Sequence, residues 1–191
     1  VLIEPVSDEF GWSRSAVSFA VLVNLALYGL VAPFAAALME KWGIRRVVAA
    51  ALVMLSLGMG LTAVMTQPWQ LVLLWGVLMG VGAGSMALVF GAIVAQRWFV
   101  ARRGLVTGVF SAASATGQLI FLPTIARLVV DDGWRSATLL LSALALAMVV
   151  PVLVLLRDRP SDLGLLPYGA KPDYVEPAPL DTHLGAGRVA L

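Results

Sequence analysis

Two short stretches crowd ionic side chains between apolar runs. They are ALMEKWGIRR at 37–46 and RWFVARRG at 97–104, each set between long runs without a charge. Glu40 lies near the carbonyl end of the run before it, where a helix dipole disfavours an anion. Arg45 and Arg46 lie near the amide end of the next, where it disfavours cations. For the arginines, attraction to anionic lipid at about 1 kcal/mol each offsets a dipole term of roughly 0.3–1 kcal/mol. Glu40 has no such compensation and needs a partner, either a local arginine or a helix N-terminus from elsewhere.

Inside the apolar runs the polar groups are few and none is charged at neutral pH. Asn24 and Tyr28 sit one helical turn apart and share a face, and Ser111, Ser114 and Gln118 form a stripe with three-then-four spacing. Both could line an aqueous cavity, as could Ser85; hydroxyls also bond their own backbone, and amides join helices. A hydrolase built on a serine such as Ser85 is excluded because no run supplies a general base. The glycine-rich 80–85 segment has no lysine and no preceding soluble strand, so it is not a nucleotide loop. With no cysteine, and His183 alone in the polar tail, no disulfide or metal site is expected. Neither a cofactor nor a nucleic-acid partner is expected.

The elements that must position these groups are membrane spans. The chain is 60% hydrophobic and 13% charged, with a mean hydropathy of +0.93, so its solvent is a lipid bilayer rather than water. Charge-free windows cover 15–39, 47–96, 104–126 and 136–156, each longer than the roughly 20 residues that cross a bilayer core. The second is too long for one crossing, and TQPWQ at 66–70 supplies a turn. The expectation is an all-α membrane bundle of five spans at about 15–39, 47–66, 69–96, 104–126 and 136–156, inside a domain 15–156.

Alternating loops place Lys41, Arg45, Arg46, Arg97, Arg102, Arg103, Arg157 and Arg159 on one side, and Arg14, Arg127 and Arg135 on the other. The positive-inside rule makes the first side cytoplasmic and puts the N-terminus of this chain outside and its C-terminus inside. Trp12, Trp42, Trp69, Trp98 and Trp134 fall at span ends, among head groups. An odd span count and the apolar start VLIEPV suggest a fragment, with 1–14 the outer end of an earlier helix and its loop. The stretch 157–191, rich in Pro, Gly and charge, reads as a cytoplasmic linker. Gly76, Gly80 and Gly84 strip one face of the third span for close helix approach, and Gly108 and Gly117 do so on two neighbouring faces of the fourth.

Residues Ala36, Leu38, Glu40, Lys41, Gly43, Arg45 and Arg46 together resemble the cytoplasmic signature between the second and third helices of the major facilitator superfamily. The sequence departs from it in having Ala36 for Gly, Glu40 for Asp and Ile44 for Arg. The stretch WFVARRGLVTGVFSAASATG is similar to the fourth-to-fifth helix signature of the monocarboxylate-transporter and oxalate/formate-antiporter branches, through Phe99, Arg102, Arg103, Leu105, Gly108, Ala112, Ser114 and Gly117. EFGWSRS at 9–15 and RPSDLGLLPYG at 159–169 resemble the same branches.

The resemblance implies that the five spans are the second to sixth helices of a twelve-helix plasma-membrane carrier, without its first helix or its C-terminal half. Such carriers rock two halves around a mid-membrane site. It implies a small organic anion as substrate, symport or antiport with a coupling ion, a cavity lined by the third span, and gate contacts at Glu40, Arg102 and Arg103. No span holds a cation for a carboxylate, so that chemistry lies elsewhere. The alternatives are a drug or metabolite exporter of the same superfamily and a carrier-like receptor or scaffold that transports nothing. An ABC-type permease is disfavoured because SAASATGQLIFLP is apolar where an ATPase would dock.

Overall fold

The computed structural model describes residues 3–86, 89–171 and 174; Val1, Leu2, His183 and most of the expected linker lie outside the described residues. The described chain is helical apart from short connections. A short α1 (Ile3–Phe10) precedes α2 (Arg14–Trp42), α3 (Ile44–Thr62) and α4 (Pro68–Trp98). A last element, Arg103–Leu155, runs for 53 residues. Four helices are long and apolar enough to cross a membrane.

The 53-residue element is two arms. At about 1.5 Å per residue it would reach about 80 Å, more than twice a bilayer core. Gly133 breaks it, with φ 84° and ψ 161°, a conformation closed to residues with a side chain. We call the arms α5 (103–132) and α6 (134–155). Val129, Trp134 and Ala137 all belong to one apolar cluster, with Val17, Ala20, Met65 and Leu71. Val152 and Leu156 belong to a second, with Met39, Ile44, Val47, Val48 and Ile93. Val17 and Met39 lie near opposite ends of α2, roughly 33 Å apart at helical rise, so the chain reverses at Gly133 and both arms return to the second cluster's end.

Every basic residue assigned above to one side follows or precedes a helix end at this second cluster; the others lie at the first. Between the two ends the helices are held by close approach and hydrogen bonds, because burial of apolar surface gives no driving force in lipid. Ser56 and Ser142 each donate to the other's carbonyl, at 3.0 and 2.8 Å, joining α3 to α6. The outward surface is apolar: Leu22, Leu25, Leu30 and Phe34 on α2 and Leu119, Ile120 and Phe121 on α5 are each more than half exposed. Such a belt is incompatible with water and fits acyl chains.

α2 continues through Pro33, and α5 and α6 through Pro123 and Pro151. Among its described residues, α4 is α-helical except for a π-helical stretch at Val72–Leu78.

Candidate functional site

At the basic end, Glu40 finds its counter-charge locally. It closes the last turn of α2 and pairs with Arg97 near the end of α4 at 2.8 Å. Arg97 is 11% exposed, and its guanidinium also reaches the carbonyls of Met39, at 3.5 Å, and Asp158, at 3.4 Å. One cation thus meets the carbonyl end of α2, where the macrodipole favours it, and neutralises the misplaced acid.

The loop from α2 to α3 is a single residue, Gly43, with φ 87°. A Cβ there would overlap the Asp158 carboxylate. Asp158 occupies that space because its Oδ1 accepts the Arg45 amide at 2.8 Å. It supplies the first turn of α3 with the anion that this turn itself lacks. Ala36 is half-buried; Lys41 and Arg46 are exposed.

Arg102 takes a left-handed conformation, φ 60° and ψ 27°, as the residue before α5. Arg103 turns back, its Nε donating to the Phe99 carbonyl at 2.6 Å. The tail pairs with this loop: Tyr168 N–H donates to Trp98 O at 2.8 Å and Tyr168 O accepts from Val100 at 2.9 Å. The start of the expected linker is therefore folded onto the bundle, with a 3-10 turn at Pro160–Leu163.

Within the bundle the polar residues divide. Asn24 Nδ2 donates to the Trp75 carbonyl at 2.7 Å, inside the π stretch of α4. Ser85 is buried and donates to Val81 O at 2.7 Å. These two join or follow helices. A Cβ on Gly76 would lie 3.2 Å from Ala20 O, on Gly80 3.0 Å from Asn24 O, and on Gly84 2.7 Å from Tyr28 O. The glycine face of α4 is pressed against the α2 backbone, including that of Tyr28.

Ser111, Ser114 and Gln118 differ. They lie on one face of α5 in a groove of about 880 Å³ between α4 and α5, with Phe90, Phe110 and Thr107. Phe90 and Phe110 meet edge to face at 5.9 Å. Thr107 and Thr124 bond back to their own helix. Ser111, Ser114 and Gln118 make no hydrogen bond among the described residues. Gly104, Gly108 and Gly117 have no group of the described residues within 4 Å of the Cβ they lack, so those residues do not cover the small-residue faces of α5.

The other end carries a clasp. Trp134 Nε1 donates to Glu9 Oε2 at 2.6 Å, and Arg135 pairs with the other oxygen. Arg135 Nε donates to Ala63 O, at the end of α3, at 3.0 Å, while its guanidinium lies 4.6 Å over the Trp134 ring. The hydrogen bonds from Arg135 and then Trp134 hold the Glu9 carboxyl below the usual carboxylate range. Trp134 is thus 5% exposed, a correction to its expected place among head groups: Glu9 offers its N–H a protein acceptor and the first cluster takes its ring.

Sequence reasoning passed over Asp158 and Tyr168 and left Arg97 as an anchor. The signal for Arg97 was Glu40's uncompensated position; for Asp158 it was an acid within the basic RDR triplet just after the last apolar run.

A profile of the Major Facilitator Superfamily matches residues 1–186. Human monocarboxylate transporter 11 is 32% identical over 164 residues, 82% of this chain and 34% of that protein. The uncharacterized MFS-type transporter YhjX of Escherichia coli K12 is 32% identical over 154 residues, 78% of this chain and 36% of its own. The uncharacterized MFS-type transporter YcxA of Bacillus subtilis 168 is 24% identical over 156 residues, 82% and 38%. The chain spans about a third of the length of these relatives. With an apolar belt, membrane-length helices and the signature loop folded around Glu40 and Arg97, it belongs to the Major Facilitator Superfamily of integral membrane transporters, which are not enzymes.

Proposed function

We propose that the chain forms five crossings of one half of an alternating-access carrier for a small organic anion, a mono- or dicarboxylate, with its basic end in the cytoplasm. The observation that carries the site is the stripe Ser111, Ser114 and Gln118. A polar group in a membrane span without a protein partner costs free energy. These three have none among the described residues, whereas Asn24 and Ser85 do. Water and solute in a central cavity supply what the chain does not. Support for the anion comes from the monocarboxylate transporters among the relatives.

A second reading has its own observation. Among the described residues no ionisable side chain lines the groove, and Phe90 and Phe110 form part of its wall, which suits a neutral amphipathic solute and hence an exporter. Uptake of labelled small carboxylates by the full-length protein in proteoliposomes, with a neutral aromatic amphiphile in parallel, separates the two. Carboxylate flux reduced at least about tenfold by Gln118→Leu, as expected for a lost polar contact to substrate, supports the anion carrier. Flux of the amphiphile alone replaces it with the exporter, and flux of neither removes both.

A further inference from the structure

The stretch from Arg159 to Lys171 lies beyond the last apolar helix, yet it cannot drift from the bundle end. Asp158 holds the Arg45 amide at one side of it, Pro160 is buried, and Tyr168 pairs with Trp98 and Val100 at the other. Its backbone is largely satisfied from within: Gly164 N–H donates to Ser161 O at 3.0 Å, Leu165 N–H to Pro160 O at 3.1 Å, and Arg159 N–H to the Asp162 carboxylate at 3.0 Å. Beside exposed Ser161 and Asp162 it turns large apolar side chains outward. Leu163, Leu165, Leu166 and Tyr168 are 51%, 57%, 54% and 57% exposed, four large side chains within six residues, on a segment outside the spans.

Charge at this end is one-sided. Glu40 is paired with Arg97, Asp158 takes the Arg45 amide, and Asp162 takes the Arg159 amide. Arg102 and Arg103 follow directly on the residues that Tyr168 pairs with, and exposed Lys171 comes three residues after it. Apolar side chains beside surplus cations, held level with the ends of membrane helices, match the head-group layer of an anionic leaflet.

We propose that residues 159–171 are a strap that lies in that layer and binds an anionic phospholipid surface. The leucines and the Tyr168 ring enter the acyl boundary, and Arg102, Arg103 and Lys171 hold the phosphates. This assignment rests on the chain being a membrane protein and is independent of what it carries.

The test uses the full-length protein, freed of any other cysteine, with a nitrobenzoxadiazole probe on Leu166→Cys. A second probe on Leu165→Cys guards against a local fault at one position. The proteins are placed in phosphatidylcholine vesicles with and without phosphatidylglycerol. The expected result is blue-shifted emission, quenched roughly twofold by lipids nitroxide-labelled near the head group, and more strongly with phosphatidylglycerol present. That added dependence should be lost in Arg102→Asn with Lys171→Gln; Asn tolerates the left-handed conformation. Emission of a water-exposed probe overturns the proposal. So does blue-shifted emission that nitroxide lipids leave unquenched, since another part of the protein would then cover the leucines.

Discussion

Arg97 meets Glu40 across the gap between α4 and α2 at 2.8 Å, and the two differ in exposure, 11% for the arginine and 39% for the acid. The arginine also touches two carbonyls, so the pair is unequal: removing the cation strands more than removing the anion does.

Arg97→Met is therefore expected to lower stability by about 2–3 kcal/mol and Glu40→Gln by no more than about 1 kcal/mol, since the acid is part-exposed and screened. Thermal unfolding of the two single variants and the double variant in detergent gives the coupling. Equal losses would sink the asymmetry.

At Gly43 two effects can be separated. Gly43→Ala suffers a positive φ and an overlap with Asp158, and should cost at least about 1–2 kcal/mol. Asp158→Ala should cost about 0.5–2 kcal/mol as a lost helix cap. The double variant should be less damaged than the sum, because the overlap is gone while the φ strain stays. Strict additivity would mean that the carboxylate does not occupy the space beside Gly43.

The glycines of α4 and α5 should behave oppositely. Gly84→Ala drives a methyl into the Tyr28 backbone and is expected to cost about 1–3 kcal/mol. Gly108→Ala meets nothing among the described residues and should be neutral or favourable by up to about 1 kcal/mol, from helix propensity alone. Melting temperatures measured in the full-length protein decide this: a Gly108→Ala loss as large as that of Gly84→Ala would show a helix seated on α5.

Glu9 gives the clasp a pH signature. Its folded-state carboxyl is held below the ordinary value by Arg135 and Trp134. The stabilisation is therefore fully present above the unfolded carboxylate pKa of about 4.3 and is lost as pH falls through the lower folded value. The stability gap between wild type and Glu9→Gln should be level from about pH 5 to 8 and close only below about pH 4. Trp134 fluorescence reports the clasp directly. A gap that closes near pH 6 would point to a group other than Glu9.

Long charge-free runs, imposed by lipid, made apolar helices legible; the expected 15–39 and 69–96 lie inside Arg14–Trp42 and Pro68–Trp98, while 47–66 overruns α3, which ends at Thr62. The glycine spacing in α4 announced a close approach, since nothing but a backbone fits there; it did not name α2 as the partner. Asn24 and Gln118 looked alike in sequence and diverged in the fold. Which amide meets a carbonyl depends on a neighbouring helix, and Trp75, whose carbonyl meets Asn24, lies in the π stretch of α4. Asp158 was hidden for the same reason: a cap normally lies next to the helix it serves, and this one is 113 residues away.

That distance bears on how the protein is made. When α3 leaves the ribosome its first turn has no anion, and the one it will use lies 113 residues downstream. At roughly 5–20 residues per second, on the order of ten seconds pass before Asp158 is synthesised. Until then the first turn of α3 lacks the carboxylate that accepts the Arg45 amide and fills the space beside Gly43. The α2–α3 turn is thus completed by a residue made only after the last apolar helix.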